Sequence, residues 1–227
     1  MSEWRKFAEG RELDQALANH LAAQLKTAIA RRGQAGLAVS GGSTPKRMFE
    51  LLSQQELEWS KVWITLVDER WVTPDSPDSN EGLVRRHLLR GQATTANFVP
   101  LKSDHDNAED GLQAVSEGLH EVPLPFTAVI LGMGGDGHTA SWFPQAANLA
   151  ALLDPAGTET VAATHPVTAP HQRITLTFPA VLNSEEILLH IAGESKRTIL
   201  EQAVAEGYPV ASILSQSSTP ATIWWAP

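Results

Sequence analysis

Leu13, Leu17, Leu21, Leu25 and Ile29 recur every fourth residue, which places them on one face of a helix and predicts a helix over 11–31. Short uninterrupted apolar runs read differently, as strands buried on both faces. Residues 36–40, Val62–Val67, Phe126–Leu131 and Ile187–Ala192 are of this kind. Arg173–Phe178 reads as a strand by alternation, and Phe98–Leu101 and Ala221–Trp225 complete the set. Between the strands, helical patterning covers Lys46–Leu52 with Pro45 at its start, Glu81–Leu89, Ala108–Glu121, a modest stretch near 145–153, and a segment that follows Gly193 to about Ala205. Residues 73–82, rich in Pro, Asp, Ser and Asn, predict an exposed loop, and a second loop runs on to about 170. Strands alternating with helices imply an α/β fold, a mostly parallel sheet covered on both faces. With 227 residues, no internal repeat and no low-complexity linker, the expectation is one domain spanning 1–227.

Four polar clusters each follow a predicted strand: Gly41–Pro45, Asp68–Arg70, Gly132–His138 and Gly193–Lys196. In open α/β sheets, ligands bind in the crevice outside the carboxyl ends of the strands, so four clusters on one rim predict a binding site there. Gly41-Gly-Ser-Thr-Pro45 offers glycines that let an anion approach the backbone, with Gly42, Ser43 and Thr44 as donors; the structural alternative is a helix cap with a tight turn. It is not a P-loop, because no Gly-Lys-Ser/Thr follows at the required spacing. Asp68-Glu69-Arg70 puts three charges after an apolar strand, which predicts a wet cleft. Arg70 can fork onto a phosphate or close an internal salt bridge.

Gly132-Met-Gly-Gly-Asp-Gly137 fits G-x-G-x-x-G literally, but Pro144 follows soon and no second strand ending in an acid lies before Asp154, so a dinucleotide site is not expected. His138 at the end of this glycine-rich run is expected at an exposed loop tip, where an imidazole suits general-base work, with Asp136 two residues away to orient or charge-stabilise it. The remaining histidines show no metal-ligand spacing, and no metal site is expected. Arg173 and Lys196 are isolated cations at a strand start and a helix start. A lysine at a helix N-terminus opposes the dipole, an arrangement that a bound anion would offset; an ordinary exposed lysine is the alternative.

Composition narrows the classes. The chain carries 17 basic and 26 acidic residues, a net charge of −9, with no basic run longer than two residues, so no nucleic-acid partner is expected. An apolar share of 42% and a charged share of 19% fit a packed core. The absence of cysteine excludes disulfides, thiolate catalysis and cysteine-ligated zinc. No run approaches the roughly 18 apolar residues of a membrane helix, and Met1–Gly10 is polar and mixed in charge. The expectation is a cytoplasmic protein, a monomer with no membrane partner.

G-G-S-T-P at 41–45, D-E-R at 68–70, G-M-G-G-D-G-H-T-A-S-W-F-P from 132, R-I-T from 173 and G-E-S-K from 193 together resemble the 6-phosphogluconolactonases over residues 5–225. The resemblance implies a Rossmann-like sheet and hydrolysis of 6-phospho-D-glucono-1,5-lactone, the second step of the oxidative pentose phosphate pathway, with no cofactor. It maps the catalytic histidine onto His138 and the phosphate-binding groups onto Ser43, Thr44, Arg70, Arg173 and Lys196. On that basis His138 takes a proton from water, Asp136 supports the imidazolium, and N–H groups of the Gly132–Gly137 loop, Gly134 and Gly135 foremost, face the oxyanion with Arg70 as another candidate.

One departure is Trp142, where the family commonly has leucine. The related glucosamine-6-phosphate isomerases share the phosphate anchor and would use Asp68 as base to move a proton between C1 and C2. They resemble D-E-Y and follow the histidine with I-A-F-N-E-P, whereas this chain has D-E-R and T-A-S-W-F-P. Two other readings are a sugar-phosphate-sensing domain of a regulator, for which the roughly 35 residues before the first predicted strand offer too little for a helix-turn-helix unit, and a dinucleotide oxidoreductase, resting on the Gly132 fingerprint alone.

Overall fold

A computed structural model describes residues 3–227; Met1 and Ser2 of the polar N-terminal stretch lie outside the described residues. The chain begins with β1 (Glu3–Lys6), α1 (Gly10–Arg32), β2 (Ala35–Val39), α2 (Lys46–Leu52) and β3 (Val62–Leu66). Next come β4 (Asp68–Arg70), α3 (Asn80–His87), β5 (Asn97–Phe98), α4 (Ala108–Leu119) and β6 (Ala128–Leu131). The remainder comprises α5 (Leu149–Leu152), β7 (Val161–Thr164), β8 (Arg173–Leu176), α6 (Phe178–Leu182), β9 (Ile187–Ala192), α7 (Glu194–Glu206), α8 (Ala211–Ser215) and β10 (Ala221–Ala226).

Seven strands pair in parallel in the order β1-β10-β9-β6-β2-β3-β5, flanked by helices as the alternating pattern predicts. β2 and β6 lie at the centre and are buried at every residue, which is why their sequences are continuous apolar runs. From β2 the chain builds outward through β3 and β5. β6 then returns to the other flank of β2, and β9 and β10 extend that side. The loops leaving β2 and β6 therefore diverge, and a crevice opens between them. Gly41–Pro45 and Gly132–His138 are those two loops.

The single-sheet expectation needs correcting for Arg173–Phe178. β8 leaves the main sheet and joins a three-stranded antiparallel sheet in the order β4-β8-β7, with Arg70 opposite Arg173 and Asp68 opposite Thr175. Val67 links the two sheets: its N–H donates to the Val39 carbonyl and its own carbonyl accepts from the Leu176 N–H, at 2.9 and 2.8 Å. Alternating polarity cannot say which sheet a strand will join. Phe178 belongs to α6, capped by the Thr177 hydroxyl. β7 falls in the stretch expected to be a loop, and the helix near 145–153 contracts to α5.

The α1 stripe is as its spacing predicts: Leu13, Leu17, Leu21, Leu25 and Ile29 are all buried, each adding about 1.5–3 kcal/mol of transfer free energy. Gly33, at φ 77°, ends the helix by donating its N–H to the Ile29 carbonyl. Asp14 interrupts the stripe as a buried carboxylate. Among the described residues, no helix is long and apolar enough to cross a membrane.

Candidate active site

The run after β6 folds into a tight loop because its glycines allow contacts that a side chain would block. The Gly134 N–H donates to the His138 carbonyl at 2.8 Å, and the Thr139 hydroxyl donates to the Gly132 carbonyl at 2.7 Å. Gly137 sits at φ 76° against Tyr208, where an added Cβ would lie 2.5 Å from the tyrosine Cβ. This closure brings His138 Nδ1 to 2.5 Å from Asp136 Oδ1, and the same oxygen accepts the His138 backbone N–H at 3.2 Å. Burial raises the Asp136 carboxyl, but the charge and hydrogen bonds of His138 outweigh it and hold the group below the usual carboxylate range. An ionised Asp136 fixes the proton on Nδ1, so Nε2 carries the free lone pair. Phe143 packs on the ring with centroids 4.3 Å apart and limits its rotation.

A cavity of about 280 Å³ opens in the crevice and is lined by Gly42, Ser43, Thr44, Asp68, Arg70, Gly134, His138 and Lys196. Gly42 takes φ 92°, and a Cβ on Gly41 would fall 1.8 Å from Asn80 Oδ1, so both glycines are required by the turn and its close neighbour. Ser43 and Thr44 are exposed to the cavity. Lys196, in the first turn of α7, has no ion-pair partner within 4.0 Å among the described residues. Burial lowers its amine and the Asp136 charge opposes that shift.

Asp68, Arg70 and His138 also border a second cavity of about 260 Å³, and it is this one that Arg173 lines, with Asp78 and His171. The expected cations therefore divide: Lys196 at one end, Arg173 at the other, and Arg70 with His138 between them. Among the described residues Arg70 makes no salt bridge; its Nη1 donates to the Asp78 carbonyl. The Nε atoms of Arg70 and Arg173 are both buried and have no protein partner among the described residues. Burial pushes the Arg173 guanidinium down, while Asp68 pulls it up and Arg70 pushes it down further.

Two expectations fail here. Glu69 does not line the cleft: strand alternation turns it inward, fully buried, where it accepts from the N–H groups of Arg70, Asn80 and Glu81 and from the Ser79 hydroxyl at 2.7–3.0 Å. Burial pushes its carboxyl up and those four donors pull it back without cancelling the effect. Gly134 is not a free oxyanion donor, since its N–H is engaged by His138; the Gly135 N–H has no protein partner among the described residues, but Gly135 lines neither cavity.

The sequence model described as glucosamine-6-phosphate isomerases/6-phosphogluconolactonase matches residues 8–224. The chain belongs to this family. A 6-phosphogluconolactonase of Mesorhizobium japonicum is 45% identical over 99% of this chain and 95% of its own length, and one of Rhizobium meliloti is 43% identical over 97% of each. The crystal structure of a 6-phosphogluconolactonase from Shewanella baltica superposes with a TM-score of 0.97 at 44% identity, covering 100% of this chain and 98% of that one. A monomeric glucosamine-6-phosphate deaminase shares the fold, with a TM-score of 0.75 at 19% identity over 99% of this chain and 97% of its own.

Within this family member, several residues around the site had been given no role from the sequence. Ser141 donates its hydroxyl to Asp68 Oδ2 at 2.5 Å, and Asn80 Nδ2 donates to the Asp68 carbonyl at 2.9 Å, so Asp68 is held in place from two sides. Asn80 lies in the polar stretch read as a loop; its signal was only the helix that starts there. His190 lines the first cavity from within an apolar strand. Trp142 lines neither cavity: it is fully buried, donates Nε1–H to the Leu176 carbonyl at 2.9 Å and meets Phe178 edge-on.

Proposed function

We propose that the chain, acting as a single lactonase domain, hydrolyses 6-phospho-D-glucono-1,5-lactone to 6-phosphogluconate in the oxidative pentose phosphate pathway, with His138 as general base. The observation that carries the catalytic assignment is the Asp136–His138 pair at 2.5 Å, with a free Nε2 at the junction of two cavities that carry cations at opposite ends. A phosphorylated lactone has two ends to satisfy: a dianionic phosphate and a carbonyl that becomes an oxyanion.

On this reading the phosphate rests on the Gly42–Thr44 turn and Lys196, which fixes the ring over His138. Water attacks C1 as His138 Nε2 takes its proton, and Asp136 stabilises the imidazolium. The Arg70 guanidinium, with Arg173 beside it, faces the oxyanion. When the C1–ring-oxygen bond breaks, His138 returns the proton to the leaving oxygen, which becomes the C5 hydroxyl. The new carboxylic acid ionises to solvent. An ester carbonyl is electrophilic enough that no covalent nucleophile is required.

The isomerase alternative needs Asp68 as a proton carrier. Its carboxylate is instead bound by Ser141, and the glutamate that follows the histidine in those enzymes is absent. The deciding experiment offers the protein both substrates. Lactone hydrolysis above the spontaneous rate, with no ammonia release from glucosamine 6-phosphate, is expected. Ammonia release without lactone hydrolysis would reverse the assignment.

A further inference from the structure

His171 borders the second cavity with Arg70, His138 and Arg173, yet the reaction above gives it no part. It sits at φ 68°, in the left-handed region. Glycine takes that region freely; a residue with a Cβ does so at a cost, and it persists there where its surroundings hold it. The surroundings here are fixed. The Pro170 carbonyl accepts from Arg173 Nη2 at 3.0 Å, the Gln172 carbonyl accepts from the Trp71 N–H at 2.8 Å, and the Gln172 side-chain oxygen accepts from the Ala108 N–H at 2.9 Å. The turn brings the His171 ring to the 73–79 loop, where its Nε2 lies 3.0 Å from Asp78 Oδ2.

Asp78 passes this contact on to the site. Its backbone carbonyl accepts from Arg70 Nη1, the only hydrogen bond from the Arg70 side chain to protein among the described residues. Its charge reaches Arg173 as well: burial works against the charge on that guanidinium and Arg70 adds to this, while Asp68, Glu69 and Asp78 offset it. Arg70 and Arg173 stand opposite each other in the β4–β8 pair, like charges that repel, so both must be held. Beyond Asp78 the chain is anchored on Glu69 through the Ser79 hydroxyl and the Asn80 and Glu81 N–H groups. Among the described residues, His171 is the one side chain hydrogen-bonded to the Asp78 carboxylate. Both partners are partly exposed, so the pair adds little stability; what it supplies is position.

We infer that His171 is a positioning residue for lactone hydrolysis: its ring holds Asp78 at the exposed edge of the second cavity, and Asp78 in turn holds the Arg70 guanidinium where the oxyanion forms. The inference rests on the proposed reaction, with Arg70 facing the oxyanion. That charge develops only in the transition state, so a looser Arg70 lowers kcat and leaves substrate binding nearly as it was. The phosphate contacts at Gly42–Thr44 and Lys196 line the first cavity, which His171 does not touch.

Steady-state lactone hydrolysis by the full chain, with spontaneous opening subtracted, tests this alongside thermal unfolding. His171→Gly removes the ring and relieves the backbone at once. It is expected to lower kcat about three- to tenfold, the range for one hydrogen bond, with KM within about twofold of wild type and no loss of melting temperature. A merely structural histidine would give the opposite pattern, with stability lost and kcat kept. His171→Gln, whose amide reaches toward the Nε2 position, restores most of the rate. Asp78→Ala lowers kcat at least as much as His171→Gly, and the double variant is no slower than Asp78→Ala alone, because the ring acts through that carboxylate. A folded His171→Gly protein with wild-type kcat would overturn the inference. So would a loss carried by KM, which would mean that the ring binds substrate directly, and so would a double variant slowed by the product of the two single effects. Should the glycine variant fail to fold, His171→Gln is compared with His171→Asn, which tolerates the same backbone but falls short of Asp78, and equal rates in the two would overturn it. A wild type with no activity above the spontaneous rate sinks the proposed reaction and this inference with it. An active wild type whose His171 variants match it sinks the inference alone.

Discussion

Gly134→Ala adds a single methyl group at the point where the proposed catalytic pair, Asp136 and His138, is assembled. The new Cβ would lie 2.1 Å from His138 Nδ1, 2.2 Å from Cε1 and 2.6 Å from Asp136 Oδ1. Non-bonded heavy atoms prefer about 3.5 Å or more, so the ring must retreat by more than about 1 Å. The backbone at Gly134 does not adopt the left-handed conformation found at Gly137, so alanine brings no strain of its own there. The obstacle is a side chain, which can turn away, so the fold survives while the site does not. Losing a charge-assisted hydrogen bond removes about 1.5–3 kcal/mol, or roughly 10- to 150-fold in rate. A misplacement of about 1 Å separately predicts about 10²-fold. We therefore expect kcat for lactone hydrolysis to fall about 100-fold, with spontaneous opening subtracted, and the melting temperature to stay within a few degrees of wild type. A variant that keeps kcat within about threefold of wild type refutes the claim that catalysis depends on the Asp136–His138 geometry.

Two further variants probe the scaffold. Glu69→Ala strips the acceptor from the Arg70, Asn80 and Glu81 N–H groups and the Ser79 hydroxyl, and urea unfolding should show a loss of roughly 3–5 kcal/mol; less than about 1 kcal/mol would mean the network is not structural. Asp14 has its folded pKa raised to about 6 from 3.8, so the folded state holds a proton that the unfolded chain has released, and stability falls as pH rises between those values. Asp14→Asn should thus raise the melting temperature above pH 6 and lose that advantage below about pH 4, where the wild-type carboxyl is protonated in both states. A variant less stable at pH 8 than at pH 4, relative to wild type, would show that the pairing with His190 and Arg47 outweighs burial.

The rim of the site was legible because each cluster interrupts an apolar run. Gly41–Pro45, Gly132–His138 and Gly193–Lys196 follow strands that are buried throughout or nearly so, and the polarity changes abruptly at their ends. Topology then does the rest, since β2 and β6 are neighbours at the point where the strand order reverses. What stayed hidden depends on direction and not on residue type. D-E-R reads as three cleft charges until a short strand turns Glu69 inward, away from Asp68 and Arg70. R-I-T-L alternates as any strand would, and only the Val67 junction assigns it to the second sheet. β1, with the sequence EWRK, pairs at the sheet edge, where one row of hydrogen bonds to β10 suffices without an apolar signature. His190 passes for core in Ile187–Ala192, and it is indeed buried there.

The central claim is that His138 activates water in a 6-phosphogluconolactonase reaction. The direct test follows 6-phosphogluconate formation from freshly prepared lactone, coupled to its dehydrogenase, for wild type and His138→Ala. The account predicts a wild-type rate well above spontaneous hydrolysis and a folded variant about 10²–10⁴-fold slower, still binding 6-phosphogluconate through the Gly42–Thr44 turn and Lys196. A folded His138→Ala protein as active as wild type would contradict it.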